Sequence, residues 1–245
     1  MKYNQIINEY LTDKKFSNGL DISYHENVKE QNRIEKILEL CRGKRVVHLG
    51  CADHLPLIEQ KIATNKWLHK LLIENTAYCV GIDNNSEAVS YIKNKILIDN
   101  VYCADVEEDE MNFILKDHWD ILVLGEIIEH VDNPVQFLSN IRNIFKDNIE
   151  QILISAPNVF NILTIKDIKN NIENINTNHN YWFSPYTLSR VVHKSGFTNI
   201  EFTFSDRVAL PFHEKIINRL KKFIGIVPSF NSNHFATIIM TAKFI

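Results

Sequence analysis

RVVHLGCADH, residues 45–54, decides the fold of this chain. Val46, Val47 and Leu49 form a short apolar run that enters a turn of small residues, Gly50, Cys51 and Ala52. A short apolar run bounded by a turn signal reads as a buried strand of a parallel sheet. Working outward, three more such runs end on polar residues. Residues 78–82 (YCVGI) end at Asp83, and residues 101–104 (VYCA) end at Asp105. Residues 119–124 (WDILVL) run into GEIIEHVDNP, residues 125–134. Four features of this kind, in this order, gather at the carboxyl edge of one sheet, where open α/β sheets bind their ligands.

The segments between these strands read as helices. Residues 28–41 place Ile34, Ile37, Leu38 and Cys41 on one face, and Gly43 stands just beyond as a stop. Residues 55–75 read as one crossover helix, and residues 86–94 as a short helix with Ala88, Val89 and Ile92 inward. Asn133 before Pro134, and Ser184 before Pro185, are caps followed by proline at the first helical position. The first opens a helix that buries Phe137, Leu138, Ile141, Ile144 and Phe145, and Gly196 ends the second. Residues 151–155, 200–204 and 235–242 complete seven strands. Strands alternating with helices predict an α/β architecture with a largely parallel sheet, right-handed crossovers and helices on both faces.

Residues 1–245 read as a single domain. Residues 1–27 are polar with an amphipathic piece at 3–11, expected as an N-terminal helical lid. Residues 206–233 are an insertion between the last two strands. Within it, residues 213–224 put Ile216, Ile217, Leu220, Phe223 and Ile224 on one face and Lys215, Arg219, Lys221 and Lys222 on the rest. That pattern suits a helix packed on the body, or a peripheral surface resting on a membrane or partner. The net charge of -3 offers no basic field, so nucleic acid is not an expected partner. The start, MKYNQIINEY, is too polar for a secretory signal. No apolar run approaches the roughly 20 residues that span a bilayer. The four cysteines, Cys41, Cys51, Cys79 and Cys103, form no CxxC pair and read as buried or site-lining reduced thiols, so a cytoplasmic location is expected.

The order RVVHLGCADH, VGID, ADVEE, WDILVLGEIIEHVDNP, ISAPN, YWFSPYTLSRVVHKSGF resembles a class I S-adenosylmethionine-dependent methyltransferase over most of the chain. The resemblance implies a Rossmann-like seven-stranded sheet whose last two strands are antiparallel at one edge, and S-adenosyl-L-methionine as cofactor. It assigns His48, Gly50, Cys51, Ala52 and Asp53 to the methionine part, where small residues let the backbone come close. It assigns Asp83, beside Asn84, to the two ribose hydroxyls, since a carboxylate offers two acceptor oxygens to two donors. Asp105 falls to the adenine amino group with Val106 beside the ring, and Gly125 to the rim. A dinucleotide dehydrogenase would need GxGxxG in the first turn, and GCADHL is not that. The turn is also similar to a bacterial branch reading LHxGCADHP, followed here by Trp67, Leu68 and His69. That branch is associated with surface-glycan biosynthesis, of capsule and O-antigen. His54 and His69 are expected near the cofactor mouth.

Methyl transfer from a sulfonium is an in-line displacement, so the enzyme chiefly supplies proximity and alignment. An oxygen acceptor also needs deprotonation or polarisation. Glu126, Glu129 and His130 follow the fourth strand at spacings of three and four, which share one face if that turn is helical. In one reading Glu126 or His130 is a base. In the other, Glu126, Glu129, His130 and the later His179 hold a divalent metal that chelates two acceptor oxygens and acidifies one. ExxEH with a later His is similar to metal-dependent RNA 2′-O-methyltransferases acting on small-RNA ends. Mixed carboxylate and imidazole ligands suit Mn²⁺, Fe²⁺ or Zn²⁺ better than Mg²⁺. Asn158 is expected to face the cleft, and Trp182 and Phe183 to line an acceptor pocket or the core. The expected activity is O-methylation of a small molecule or surface-glycan precursor, at a sugar hydroxyl or a capsule phosphoramidate. The alternatives are an RNA 2′-O-methyltransferase and a cofactor-binding, non-catalytic partner subunit.

Overall fold

A computed structural model describes residues 1–24, 30–208 and 231–244. In chain order the elements are α1 (Gln5–Leu11), α2 (Arg33–Cys41), β1 (Arg45–Leu49), α3 (Ile58–Ala63), α4 (Leu68–Asn75), β2 (Tyr78–Asp83), α5 (Ser86–Tyr91) and β3 (Val101–Cys103). They continue with α6 (Asn112–Leu115), β4 (Trp119–Gly125), α7 (Pro134–Phe145), β5 (Ile149–Pro157), α8 (Ile162–Lys169), α9 (Pro185–Lys194), β6 (Thr198–Arg207) and β7 (Phe235–Lys243). The seven strands form one sheet in the order β3-β2-β1-β4-β5-β7-β6. The strands from β3 to β5 are parallel. β7 runs antiparallel to both β5 and β6. The strand order reverses between β1 and β4, which opens a crevice at their carboxyl ends.

Alternation along β1 explains how both faces are covered. Val47 and Leu49 pack with Leu122, Leu124 and the stripe Phe137, Leu138, Ile141 and Phe145 of α7. Val46 points the other way, with Ile121 and Val123, against Ile37 and Cys41 of α2 and Leu68 and Leu72 of α4. The caps read from sequence are in place. Asn133 accepts from the Gln136 amide at 3.2 Å, and Ser184 from the Thr187 amide at 3.1 Å. Each satisfies one of the helix's orphan amide donors.

Four expectations need correction. Residues 55–75 are not one helix: a single 3-10 turn precedes α3, and the chain breaks before α4. Asn65 takes a left-handed φ of 54° there. Trp67 is buried, and its indole N–H donates to the Cys51 carbonyl at 3.0 Å. Seating that indole with its polar tip satisfied outweighs helix continuity. Residues 126–131 are a turn and not a helix, with Glu126 at φ 59°. The segment expected as a lid packs on the antiparallel edge instead. The Tyr3 ring packs at a tilt against Phe202 of β6, and the Arg190 guanidinium donates to the Tyr10 and Leu11 carbonyls. None of residues 1–24 lines the cleft described below. Last, of the four free thiols, Cys41, Cys51 and Cys79 are buried but Cys103, ending β3, is exposed. Residues 213–224, residues 25–27 of the N-terminal segment, and Val28 and Lys29 of the segment read as 28–41 lie outside the described residues. The base of that insertion is closed by the Val208 amide, which donates to the His234 carbonyl at 2.9 Å.

A pair of buried imidazoles lies under the first turn. His48 of β1 and His69 of α4 approach Nδ1 to Nδ1 at 3.3 Å, which requires one ring to donate and the other to accept. Burial lowers His69 from 6.5 to about 4. Burial, and then repulsion from His69 and Arg33, lowers His48 well below its ordinary value. Both are therefore neutral in the fold. Their contribution to stability is present above the unfolded value near 6.5 and is lost as pH falls toward the depressed folded values. We expect the melting temperature to drop as pH is lowered through that window. His69→Gln should flatten this acid limb by up to ~3 kcal/mol, read as melting curves across the range. An unchanged slope would show that His69 does not titrate with unfolding.

Candidate active site

The carboxyl ends of β1, β2, β3 and β4 open onto one cleft with two lobes. The first lobe, about 460 Å³, is lined by Leu49, Asp83, Asn84, Ala104, Asp105, Val106 and Phe137, among others. The second, about 510 Å³, is lined by Arg33, His48, Cys51, Asp53, Gly125, Glu126, Glu129 and His179, among others. Gly50, Asp83, Ile127 and His130 line both.

The first turn is held by β2. The amides of Gly50 and Cys51 donate to the Ile82 carbonyl at 2.8 and 3.2 Å. The Ala52 amide donates to Asp83 Oδ2 at 2.9 Å. These three donors are therefore occupied within the protein, and the turn offers a ligand its shape. Gly50 has φ 70°, and a Cβ there would lie 2.6 Å from Ile127 Cδ1. The left-handed backbone is what calls for glycine there, since the end of the Ile127 side chain has freedom to shift. Ala52 is fully buried and lines neither lobe. Asp53, at φ 58°, turns its carboxylate to the His54 amide and to Lys61. His48 lines the second lobe while one ring nitrogen is engaged by His69. His54 lines that lobe too, whereas His69 is buried behind it.

Asp83 Oδ1 accepts from the Asn85 amide at 3.0 Å, so each carboxylate oxygen has one protein partner and a further lone pair toward the lobe. Asp105 Oδ1 accepts from the Glu107 amide at 2.9 Å, and its own amide donates to Asp109 at 2.7 Å. Both acids face the same lobe.

The second lobe is lined by Glu126, Glu129, His130 and His179, and the structure divides this expected set of four. Glu129, His130 and His179 bring one ligating atom each within 4.8 Å of one another, and they form the one such group among the described residues. Glu126 is not in it. Its left-handed backbone turns the residue toward Arg33, whose charge opposes the upward push of burial on its carboxyl group. Glu129 is buried with both oxygens unpartnered, and burial followed by repulsion from Glu126 raises it to about 8. His130 Nδ1 lies 3.0 Å from the Asn178 carbonyl. A carbonyl only accepts, so Nδ1 carries the proton and Nε2 keeps the lone pair. His179 crosses His130 edge to face at 4.6 Å, and burial lowers its pKa. The two loops are stapled together. The Asn180 amide donates to the Glu129 carbonyl at 2.8 Å, its side chain to the His130 carbonyl at 3.0 Å, and the Tyr181 hydroxyl to the Asp132 carbonyl at 2.6 Å.

Asn158 does not face the cleft. It is buried and donates to the Ser232 and Phe235 carbonyls at 3.1 and 2.9 Å, tying β5 to the start of β7. Phe183 is core, and Trp182 points to a different cavity. Sequence reasoning missed Arg33. It opens α2 behind the Asn32 cap, reaches the Ser155 hydroxyl at 3.4 Å and packs over Gly125. The capping box of Asn32 and Glu35 places Arg33 in the first turn of α2, but no local pattern shows that this turn faces the strand ends.

Residues 24–201 match the model of the Methyltransf_23 family, described as a methyltransferase domain. Solved structures agree on the fold. The chain superposes on an S-adenosylmethionine-dependent methyltransferase of Archaeoglobus fulgidus with TM-score 0.51 at 16% identity, covering 86% of this chain and 91% of that one. A Thermotoga maritima methyltransferase, described as a possible histamine N-methyltransferase, gives 0.55 at 14% identity, covering 86% and 87%. The small RNA methyltransferase HEN1 gives 0.53 at 17% identity, covering 86% of this chain but 25% of that one. No curated protein matches in sequence. No helix among the described residues is long and apolar enough to cross a membrane. With the 3-2-1-4-5-7-6 sheet and the two-lobed cleft at its carboxyl edge, the family match establishes that this chain belongs to the methyltransferase-domain family and is a class I methyltransferase whose methyl donor is S-adenosyl-L-methionine.

Proposed function

We propose that this methyltransferase acts on an oxygen of a small acceptor, with the nucleoside of the cofactor in the first lobe and the acceptor in the second. The observation that carries this reading is His130. Its Nδ1 is committed to the Asn178 carbonyl, which leaves the lone pair on Nε2, and the residue lines the lobe in company with Glu129 and His179. An imidazole with a fixed tautomer and a free lone pair is suited to take a hydroxyl proton as the methyl group is transferred. The proposed cofactor contacts are Asp83 to the ribose hydroxyls, Asp105 and Val106 to the adenine, Asn84 beside them, and His48, Gly50, Cys51, Asp53 and Gly125 around the methionine part. Ala52 serves through its amide on Asp83.

The three clustered side chains also support a second reading, in which Glu129, His130 and His179 hold a divalent cation and Glu126 stands outside the ligand set. Such an ion would supply Lewis-acid polarisation of an acceptor oxygen. The donor set of one carboxylate and two imidazoles fits Mn²⁺, Fe²⁺ or Zn²⁺. The buried, unpartnered Glu129 oxygens are the feature that such an ion would satisfy.

Among acceptors, sugar hydroxyls of a surface-glycan precursor, or a capsule phosphoramidate, are proposed only on the resemblance of the HLGCADH turn, residues 48–54, to the branch reading LHxGCADHP. RNA is disfavoured by the net charge of -3 and by Glu107 on the cleft rim. A screen of nucleotide-linked sugars with labelled cofactor, read by mass spectrometry, tests the class.

Asp83→Ala should weaken cofactor binding by about tenfold or more in calorimetric titration, the loss expected for charge-assisted hydrogen bonds. His130→Ala should lower kcat by ~100-fold while leaving cofactor affinity unchanged. If the ion is used, chelator should abolish turnover, Mn²⁺ should restore it, and Glu129→Gln should lose Mn²⁺ binding by calorimetry. Full turnover after chelation would leave His130 acting as a base alone.

A further inference from the structure

His48 lines the second lobe, and its partner ring, His69, is fully buried. The His69 Nε2 atom has no hydrogen-bond partner. It packs over Gly81, where a Cβ would lie 2.8 Å from it. Its Nδ1 meets His48 Nδ1 at 3.3 Å and Cys79 Sγ at 3.8 Å. The thiol is a weak partner in either role. A neutral imidazole carries one N–H and one lone pair, so two arrangements satisfy the bond between the rings. If His48 donated, the His69 proton would sit on Nε2, and an N–H would be buried with no acceptor. If His69 donates, only a lone pair is left bare there. Buried N–H groups without an acceptor are rarer in folded proteins than under-satisfied acceptors. The second arrangement therefore prevails, and it puts the His48 proton on Nε2.

The polar atom that His48 has left to offer a ligand is thus a donor. Among the described residues no protein group bonds it. A donor has nothing to give an ammonium and bonds an anionic oxygen well. The charge acting on His48 has the same bias, because Arg33, which lines the same lobe, repels a second proton from the ring. The methionine part of S-adenosylmethionine ends in one ammonium and one carboxylate. We propose that His69 is a positioning residue, which locks His48 as an N–H donor and so makes the protein recognise its cofactor by the methionine carboxylate. This deepens the cofactor placement given above and rests on the methionine part lying at the first turn.

Calorimetric titration without acceptor separates the two ends of the cofactor. The probes are S-adenosylmethionine, its decarboxylated form, which keeps the ammonium, and methylthioadenosine, which has neither group. The wild-type protein should bind S-adenosylmethionine about tenfold or more tighter than the decarboxylated form, as expected for a hydrogen bond to a charged group. His69→Leu should erase that preference and leave methylthioadenosine binding unchanged, a pattern that a merely structural loss would not produce. Long-range proton–nitrogen correlation spectra of histidine-labelled wild-type protein, above neutral pH, read the tautomers directly. We expect the proton on Nε2 of His48 and on Nδ1 of His69, and this readout stands even where His69→Leu fails to fold. The reverse tautomers overturn the proposal. So does equal binding of S-adenosylmethionine and its decarboxylated form by the wild type, a preference that survives His69→Leu, or equal loss of all three ligands in that variant. Each of these leaves the cofactor placement and the oxygen-directed reading standing. Weakened methylthioadenosine binding in His48→Ala would instead show that the first turn holds the nucleoside, and the cofactor placement would fall together with the proposal.

Discussion

One carboxylate holds the ligand edge of the sheet together. Asp83 accepts from the Ala52 amide with one oxygen and from the Asn85 amide with the other. It thereby joins the turn after β1 to the turn after β2 at the place where strand order reverses. Charge-assisted bonds of this kind are about twice as strong as neutral ones. With Gly50 and Cys51 bonded to Ile82, the turn is fixed before any ligand arrives. The cleft is a preformed cradle, which lowers the ordering cost of binding.

The second organising device is the strap over the second lobe. A loop of polar residues would ordinarily be loose, since nearly all of 170–180 is exposed. Here Asn178, Asn180 and Tyr181 fasten it to residues 129–132 through backbone carbonyls. The fastening brings His179 onto His130 from a distance of 49 positions in the chain. It also fixes the tautomer of His130, so positioning and protonation follow from the same contact.

The strands and caps were legible in the sequence because each depends on local pattern. Val46, Val47 and Leu49 give the short apolar run of a strand buried on both faces, and Asn133–Pro134 and Ser184–Pro185 start helices where their chemistry requires. The break at residues 64–67 was not legible, because its cause is a long-range bond from Trp67 to Cys51. Three of the four side chains proposed around a metal do converge. The fourth, Glu126, diverges because its backbone is left-handed, and no residue pattern in GEIIEH announces that in a glutamate. Arg33 was missed for the opposite reason. Its spacing belongs to a surface helix, and only the tertiary packing of α2 against β4 and β5 brings it to the cleft.

The thiols have a practical corollary. Gly81 leaves a hollow that Cys51 and His69 occupy so tightly that a Cβ would lie 2.6 Å from the Cys51 sulfur. Cys41, Cys51 and Cys79 are sealed in the body, while Cys103 stands in solvent two positions before Asp105. The wild-type chain therefore comes with a native attachment point for a maleimide dye or spin label beside the lobe that Asp83 and Asp105 line. Cofactor loading becomes visible on the unmodified sequence, with no engineered cysteine.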